Sequence, residues 1–176
     1  RQRQMCIRDR FYETPNVTSV TFNEGLKNIE FETFYMTNVT ELEFPNSLEN
    51  IAYNNFYYCT KLAKVTLGSG LKTMGTNSFY KSDKVTDIII NAQTPPTTDG
   101  GSGAIFSTGF NKANVTLTVP AGTVNAYKTS ANWSGFKEYK EIGGGAIEEG
   151  RIVVDGIHYE ITKNPYAAED GTLQCY

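Results

Sequence analysis

The dipeptide Phe-Tyr occurs four times in the chain, at Phe11-Tyr12, Phe34-Tyr35, Phe56-Tyr57 and Phe79-Tyr80, with steps of 23, 22 and 23 residues. An apolar register travels with it. Val17, Val39, Leu62 and Val85 form one column, and Val20, Leu42, Val65 and Ile88 the next. Phe22, Phe44, Leu67 and Ile90 form a third, followed by Leu26, Leu48 and Leu71, then Ile29, Ile51 and Met74. One repeat offers about six large apolar side chains, whose burial does not offset the backbone entropy of ordering it. Each repeat must therefore cover its flanks with neighbours, which predicts a stack of three or more turns with capped ends.

A repeat of this length with an L-x-x-L-x-L core is the leucine-rich-repeat pattern, in which each turn gives one short strand and one return segment. The predicted fold is a leucine-rich-repeat solenoid, with short parallel strands on one face and irregular or short helical returns. Residues 11–91 hold the repeats, with strands expected at 17–22, 39–44, 62–67 and 85–90. Residues 92–142 form an atypical terminal repeat and a β-α-β-like cap. Its parts are a loop at 91–110 rich in Pro, Gly, Ser and Thr, a strand at 114–120, a short helix at 121–130 carrying Val124 and Tyr127 on one face, and a strand at 138–142. GGGAIEEG at 143–150 reads as a linker. Residues 151–176 open with a β-hairpin turned at Asp155-Gly156, pairing Val154 with Ile157 and Arg151 with Glu160. Twenty-six residues are too few for a core of their own, so this segment reads as the start of a truncated domain.

The first ten residues, RQRQMCIRDR, stand outside the register and hold four of the sixteen basic residues. They resemble a translated sequencing-adapter remnant, and the expectation is that they are not native. On that reading the real chain is already in mid-repeat at Phe11, and the sequence is a fragment at both ends.

The Phe, with a small residue three positions later and a strand after it, resembles the BspA-like leucine-rich repeats of bacterial surface proteins. The run TPPT…TLTVPAGTVNAYKTSANWSGFKEYKEI is similar to the ending of arrays in that family. The resemblance covers residues 11–142, with two departures: the loop at 97–105 is long, and Cys59 alone occupies a position where the family often has cysteine. It implies a non-catalytic module of a secreted or surface-attached bacterial protein. Its implied role is adhesion, with an extracellular host or microbial protein or a surface glycan as partner. A spacer displaying another domain, or a carbohydrate-binding accessory module of a surface hydrolase, are the alternatives.

Chemistry-bearing residues are sparse. The single histidine, His158, falls on the polar face of the hairpin. Glu41 and Glu43 share one side of a strand and Glu30 and Glu32 are two apart, but neighbouring acids on a repeat surface are ordinarily solvated. Three dispersed cysteines form neither a disulfide framework nor a metal site, and no cofactor motif occurs. Cys59 shares a column with Thr14, Thr37 and Ser82, which marks a small packed thiol. Lys and Arg are scattered, which argues against nucleic acid, and no apolar run reaches the roughly 18 residues of a membrane span.

Two surfaces are candidates for binding. One is the outward strand face, with columns Ser19, Glu41, Lys64, Asp87 and Thr21, Glu43, Thr66, Ile89. The other is the tyrosine half of the dipeptide: if the Phe column points inward, Tyr12, Tyr35, Tyr57 and Tyr80 form an outward ladder with Tyr58 beside it. Such a ladder could stack on sugars or anchor a protein.

Overall fold

The computed structural model describes residues 11–98, 103–107 and 109–143, together with the backbone of 5–7, 151–154 and 157–160. The chain divides into two units, Arg1–Ile142 and Gly143–Tyr176.

In the first unit the columns become ladders. The main sheet is parallel and joins β3 (Glu41–Glu43), β5 (Lys64–Leu67), β7 (Asp87–Ile90), β8 (Thr116–Val119) and β9 (Glu138–Glu141) in that order. Its register runs Glu41, Lys64, Asp87, Thr116, Glu138 along one row. Leu42, Val65, Ile88 and Leu117 in the next row are buried, so strand alternation sends one row into the core and its neighbours outward. Residues 17–22 make no strand, contrary to expectation. Val20 and Phe22 pack on the core but stay only partly buried, which pins the segment less firmly than its counterparts.

The return side also differs from the one-sheet picture. A second parallel sheet joins β1 (Met5–Ile7), β2 (Leu26–Ile29), β4 (Asn50–Ile51) and β6 (Thr73–Met74), and extends through a bridge between Thr73 and Thr97. β1 falls inside the decapeptide set apart by its sequence. The i, i+3 spacing of Leu26 with Ile29, or Leu48 with Ile51, carries no two-residue alternation. What makes these segments strands is the repeat length, held to 22 or 23 residues, which aligns each return with the last. The Ala52 amide then donates to the Ile29 carbonyl at 2.8 Å, and the Gly75 amide to that of Ile51 at 2.7 Å. Buried backbone groups need such partners.

Tight corners connect the sheets, and each is framed by left-handed residues two positions before and after the phenylalanine. Glu32, Asn54 and Asn77 hold φ of 56–57°, and Glu13, Met36, Tyr58 and Lys81 hold 47–58°. Between them Phe34, Phe56 and Phe79 stack along the axis, with ring centroids 5.9 and 5.0 Å apart. Small polar side chains flank the rings and satisfy the corner backbone. Thr33 and Ser78 each donate to the carbonyl three residues earlier, at 2.9 and 2.7 Å. Asn55, in the same column, bonds to Ala52 O at 2.9 Å and also reaches the preceding turn, donating to Glu30 O at 2.8 Å and accepting from Thr33 N at 3.1 Å. Cys59 is a buried free thiol donating to Phe34 O at 2.9 Å. Burial pushes its pKa up to about 11.

Between β7 and β8 the step is longer, Asp87 pairing with Thr116, whereas Thr116 to Glu138 returns to the usual spacing. The extra residues still serve the core. Phe106 continues the phenylalanine stack 5.3 Å from Phe79, and Trp133 and Phe136 close over it edge-on. α1 (Val124–Thr129) buries Tyr127, whose hydroxyl donates to Ala92 O at 2.7 Å, while Trp133 Nε1 donates to Pro96 O at 2.8 Å. The expected β-α-β cap is thus β8, α1 and β9.

In the second unit β10 (Arg151–Val154) and β11 (Ile157–Glu160) pair antiparallel with Arg151 opposite Glu160 and Val154 opposite Ile157. That is the predicted hairpin register. The turn Asp155-Gly156, the side chain of His158 and residues 144–150 lie outside the described residues.

Candidate functional site

The main-sheet face presents Glu41 and Asp87 exposed and Lys64 half-buried in one row, with Glu43 exposed and Thr66 and Ile89 half-buried in the next. Ser19 and Thr21 are exposed but lie outside the ladder. Among the described residues no ion pair joins Glu41, Lys64 and Asp87. This face is a row of solvated charges of alternating sign without an aromatic anchor.

The corner edge is different. Tyr12, Tyr35, Tyr57 and Tyr80 form a continuous file, with successive centroids 4.9, 5.3 and 4.5 Å apart and interplanar angles of 9°, 15° and 25°. Tyr12 is 40% exposed and the other three are half-buried, so the ladder is neither free nor covered. Tyr58 joins it, 5.1 Å from Tyr57 and edge-on to Tyr80 at 5.9 Å. Partial burial, then the neighbouring phenols Tyr80, Tyr58 and Tyr35, raise the pKa of Tyr57 above its ordinary value. Tyr12 is raised by burial first and by Glu13 next.

Stacking decides what the file can offer. An aromatic ring has two faces, and those of Tyr35 and Tyr57 are both taken by their neighbours. Tyr80 has Tyr57 on one face, and Gly109 lies so close that a Cβ there would be 3.2 Å from its Cε2. Stacking therefore leaves Tyr35 and Tyr57, in the middle of the file, no free ring face on which a sugar could stack.

The sequence also left two features of this edge unread. Phe31 and Tyr53 stack at 5.3 Å and 4°, making a second, shorter file on the other side of the corner. Met36, in the left-handed position after Tyr35, is 44% exposed and its counterpart Tyr58 39%. Their places were readable from the repeat, but exposure at left-handed corners was not.

Polar columns also line the return side. Glu49 accepts from Lys27 and Lys72, both at 2.6 Å, and these hydrogen bonds lower its carboxyl to about 2. Asn50 donates to Asn28 Oδ1 and accepts from Thr73 Oγ1, each at 2.8 Å. Both ladders recur at the repeat step, which was the available signal. Glu24 accepts from the Asn46 and Ser47 amides at 3.0 Å, which lowers its pKa.

Among the described residues no cluster of three or more His, Cys, Asp or Glu could hold a metal ion. Glu32 is engaged by Asn54 Nδ2 at 3.2 Å, and among the described residues no helix is long and apolar enough to cross a membrane.

Two parallel ladders wound around a file of phenylalanines, closed by an aromatic cap and carrying charged and aromatic surfaces, define a leucine-rich-repeat interaction module. The family model for the BspA type leucine-rich repeat region matches residues 7–132 in six copies, and the chain belongs to this family, whose repeats are typical of bacterial surface proteins. None of the curated proteins matches the chain.

Proposed function

We propose that this chain is a non-catalytic adhesion module of a bacterial surface protein, and that its corner edge binds an extracellular protein of host or microbial origin. The observation that carries the reading is the stacked tyrosine file with Tyr58 and Met36 beside it. Among the described residues, most of the exposed large apolar ones sit at these corners: Tyr12, Met36, Tyr53 and Tyr58. Contiguous exposed aromatic surface favours a protein partner, and the occupied ring faces weigh against sugar stacking along the file. The main-sheet residues Glu41, Glu43, Lys64, Thr66 and Asp87 supply a solvated, mixed-charge flank suited to partner selection more than to affinity.

The test is binding of the whole chain to a panel of extracellular-matrix proteins and mucin, comparing wild type with the double variant Tyr58→Ser, Met36→Ser. Both residues are exposed at the corners, but Tyr58 also packs on Tyr57 and Tyr80, so thermal unfolding is measured beside binding to show that the variant is folded. A matrix protein that binds wild type and is lost in the double variant supports the reading. Equal binding by both moves the site elsewhere, and a wild type that binds nothing in the panel favours a spacer.

A further inference from the structure

The insertion before β8 does more than fill the core. The chain bonds back to the second sheet at Thr97, whose amide donates to Lys72 O at 3.0 Å and whose carbonyl accepts from Met74 N at 2.9 Å. Thr98 then stands at the outward face of that sheet and joins an open depression of about 500 Å³ lined by Asn28, Asn50, Thr73, Glu30, Ala52 and Thr98, with the buried Ile29 and Ile51. Insertions in repeat proteins gather on one face, which is often the binding face.

The lining has a definite hydrogen-bonding character. Asn50 uses one N–H on Asn28 and accepts one bond from Thr73. A primary amide has two N–H donors and two acceptor lone pairs, so the Asn50 amide keeps one donor and one acceptor that the ladder does not use. Glu30 adds a carboxylate that makes no ion pair or side-chain hydrogen bond among the described residues. Glu49, in the column of Lys27 and Lys72, is by contrast clamped between two lysines. Adjacent hydroxyls of a sugar each donate and accept, which matches an amide donor and acceptor beside an acceptor-only carboxylate. A peptide would require an open strand edge or apolar pockets, but Thr97 bridges β6 and the apolar lining is buried. An anion would meet Glu30.

We propose that this depression is a binding site for a neutral carbohydrate. It is separate from the corner edge and does not depend on the reading given to that edge.

Saturation-transfer-difference NMR on the full chain, with cellotriose, mannotriose, lactose and N-acetylchitotriose as probes, tests it. The expected result is saturable binding of at least one sugar, weakened roughly tenfold or more by Glu30→Gln and by Thr98→Trp. The second variant fills the depression without touching the asparagine ladder, so a fold defect cannot stand in for a lost site. Tyr58→Ser should leave sugar binding unchanged. Absence of saturable binding by all four, or binding indifferent to both Glu30→Gln and Thr98→Trp, overturns the proposal. So does a neutral peptide binding there in place of the sugars.

Discussion

Replacing Asn55 should separate two kinds of corner stability. Its side chain is fully buried and makes three hydrogen bonds, one to Ala52 O within its own turn and two, to Glu30 O and from Thr33 N, that tie it to the turn before. Serine is what the next turn uses at this position, where Ser78 Oγ reaches Gly75 O at 2.7 Å. Asn55→Ser should therefore keep the local bond and lose the two that join turns, whereas Asn55→Ala loses all three. At about 1 kcal/mol per bond, Ser should cost about 2 kcal/mol and Ala about 3 kcal/mol. With a urea dependence of about 2 kcal/mol per molar, the midpoints should fall by about 1 M and 1.5 M. Trp133, the single tryptophan, is buried in the cap and reports the transition by fluorescence. Because the reporter sits several turns from Asn55, an unchanged slope would also show that the stack unfolds as one unit. Equal midpoints for Ser and Ala would refute the local bond, and an Ala variant within about 0.5 kcal/mol of wild type would refute the ladder account.

Three further outcomes follow from other features. A Cβ at Gly75 would lie 2.2 Å from Tyr53 N, a backbone atom that cannot swing aside; Gly75→Ala should cost at least about 2 kcal/mol in the same titration. Lys81 holds φ of 58° at an exposed corner, so Lys81→Gly, which relieves a strain of about 1–2 kcal/mol against a smaller entropy loss, should raise the midpoint slightly; a clear fall would show that the side chain is needed. Lys27 and Lys72 hold the Glu49 carboxyl at about 2, below its ordinary 4.5, so its contribution is present above pH about 4.5 and fades as pH falls towards 2. Stability measured across that window should decline less steeply in Glu49→Gln.

The parts of the fold that were legible are those in which side-chain size repeats. Phe34, Phe56 and Phe79 are large and strictly spaced, so their inward stack follows from the period alone. The second sheet was hidden because β4 and β6 are two residues long and show no alternation; strand character there comes from alignment between turns. Asn55 does not stand out in the sequence, because Thr33 and Ser78 share its column and the three together look like ordinary turn residues. Phe106 breaks the period, arriving late in a Gly- and Pro-rich loop, and its place in the stack depends on the cap. At the corner edge, sequence placed the tyrosines outward in a file. Ring spacing, which closes most of their faces, is a property of the packed turns and could not be read from the letters.

The left-handed corners have a consequence for how the module can vary. Glu13, Met36, Tyr58 and Lys81 share one backbone conformation although their side chains have nothing in common. The conformation is thus imposed by the ladders on either side, and the corner residue itself is not consulted. Each turn then carries one outward address whose content the fold leaves open, at intervals set by the 4.5–5.3 Å tyrosine stacking beside it. A surface written this way can change its reader one letter at a time while the scaffold beneath stays the same.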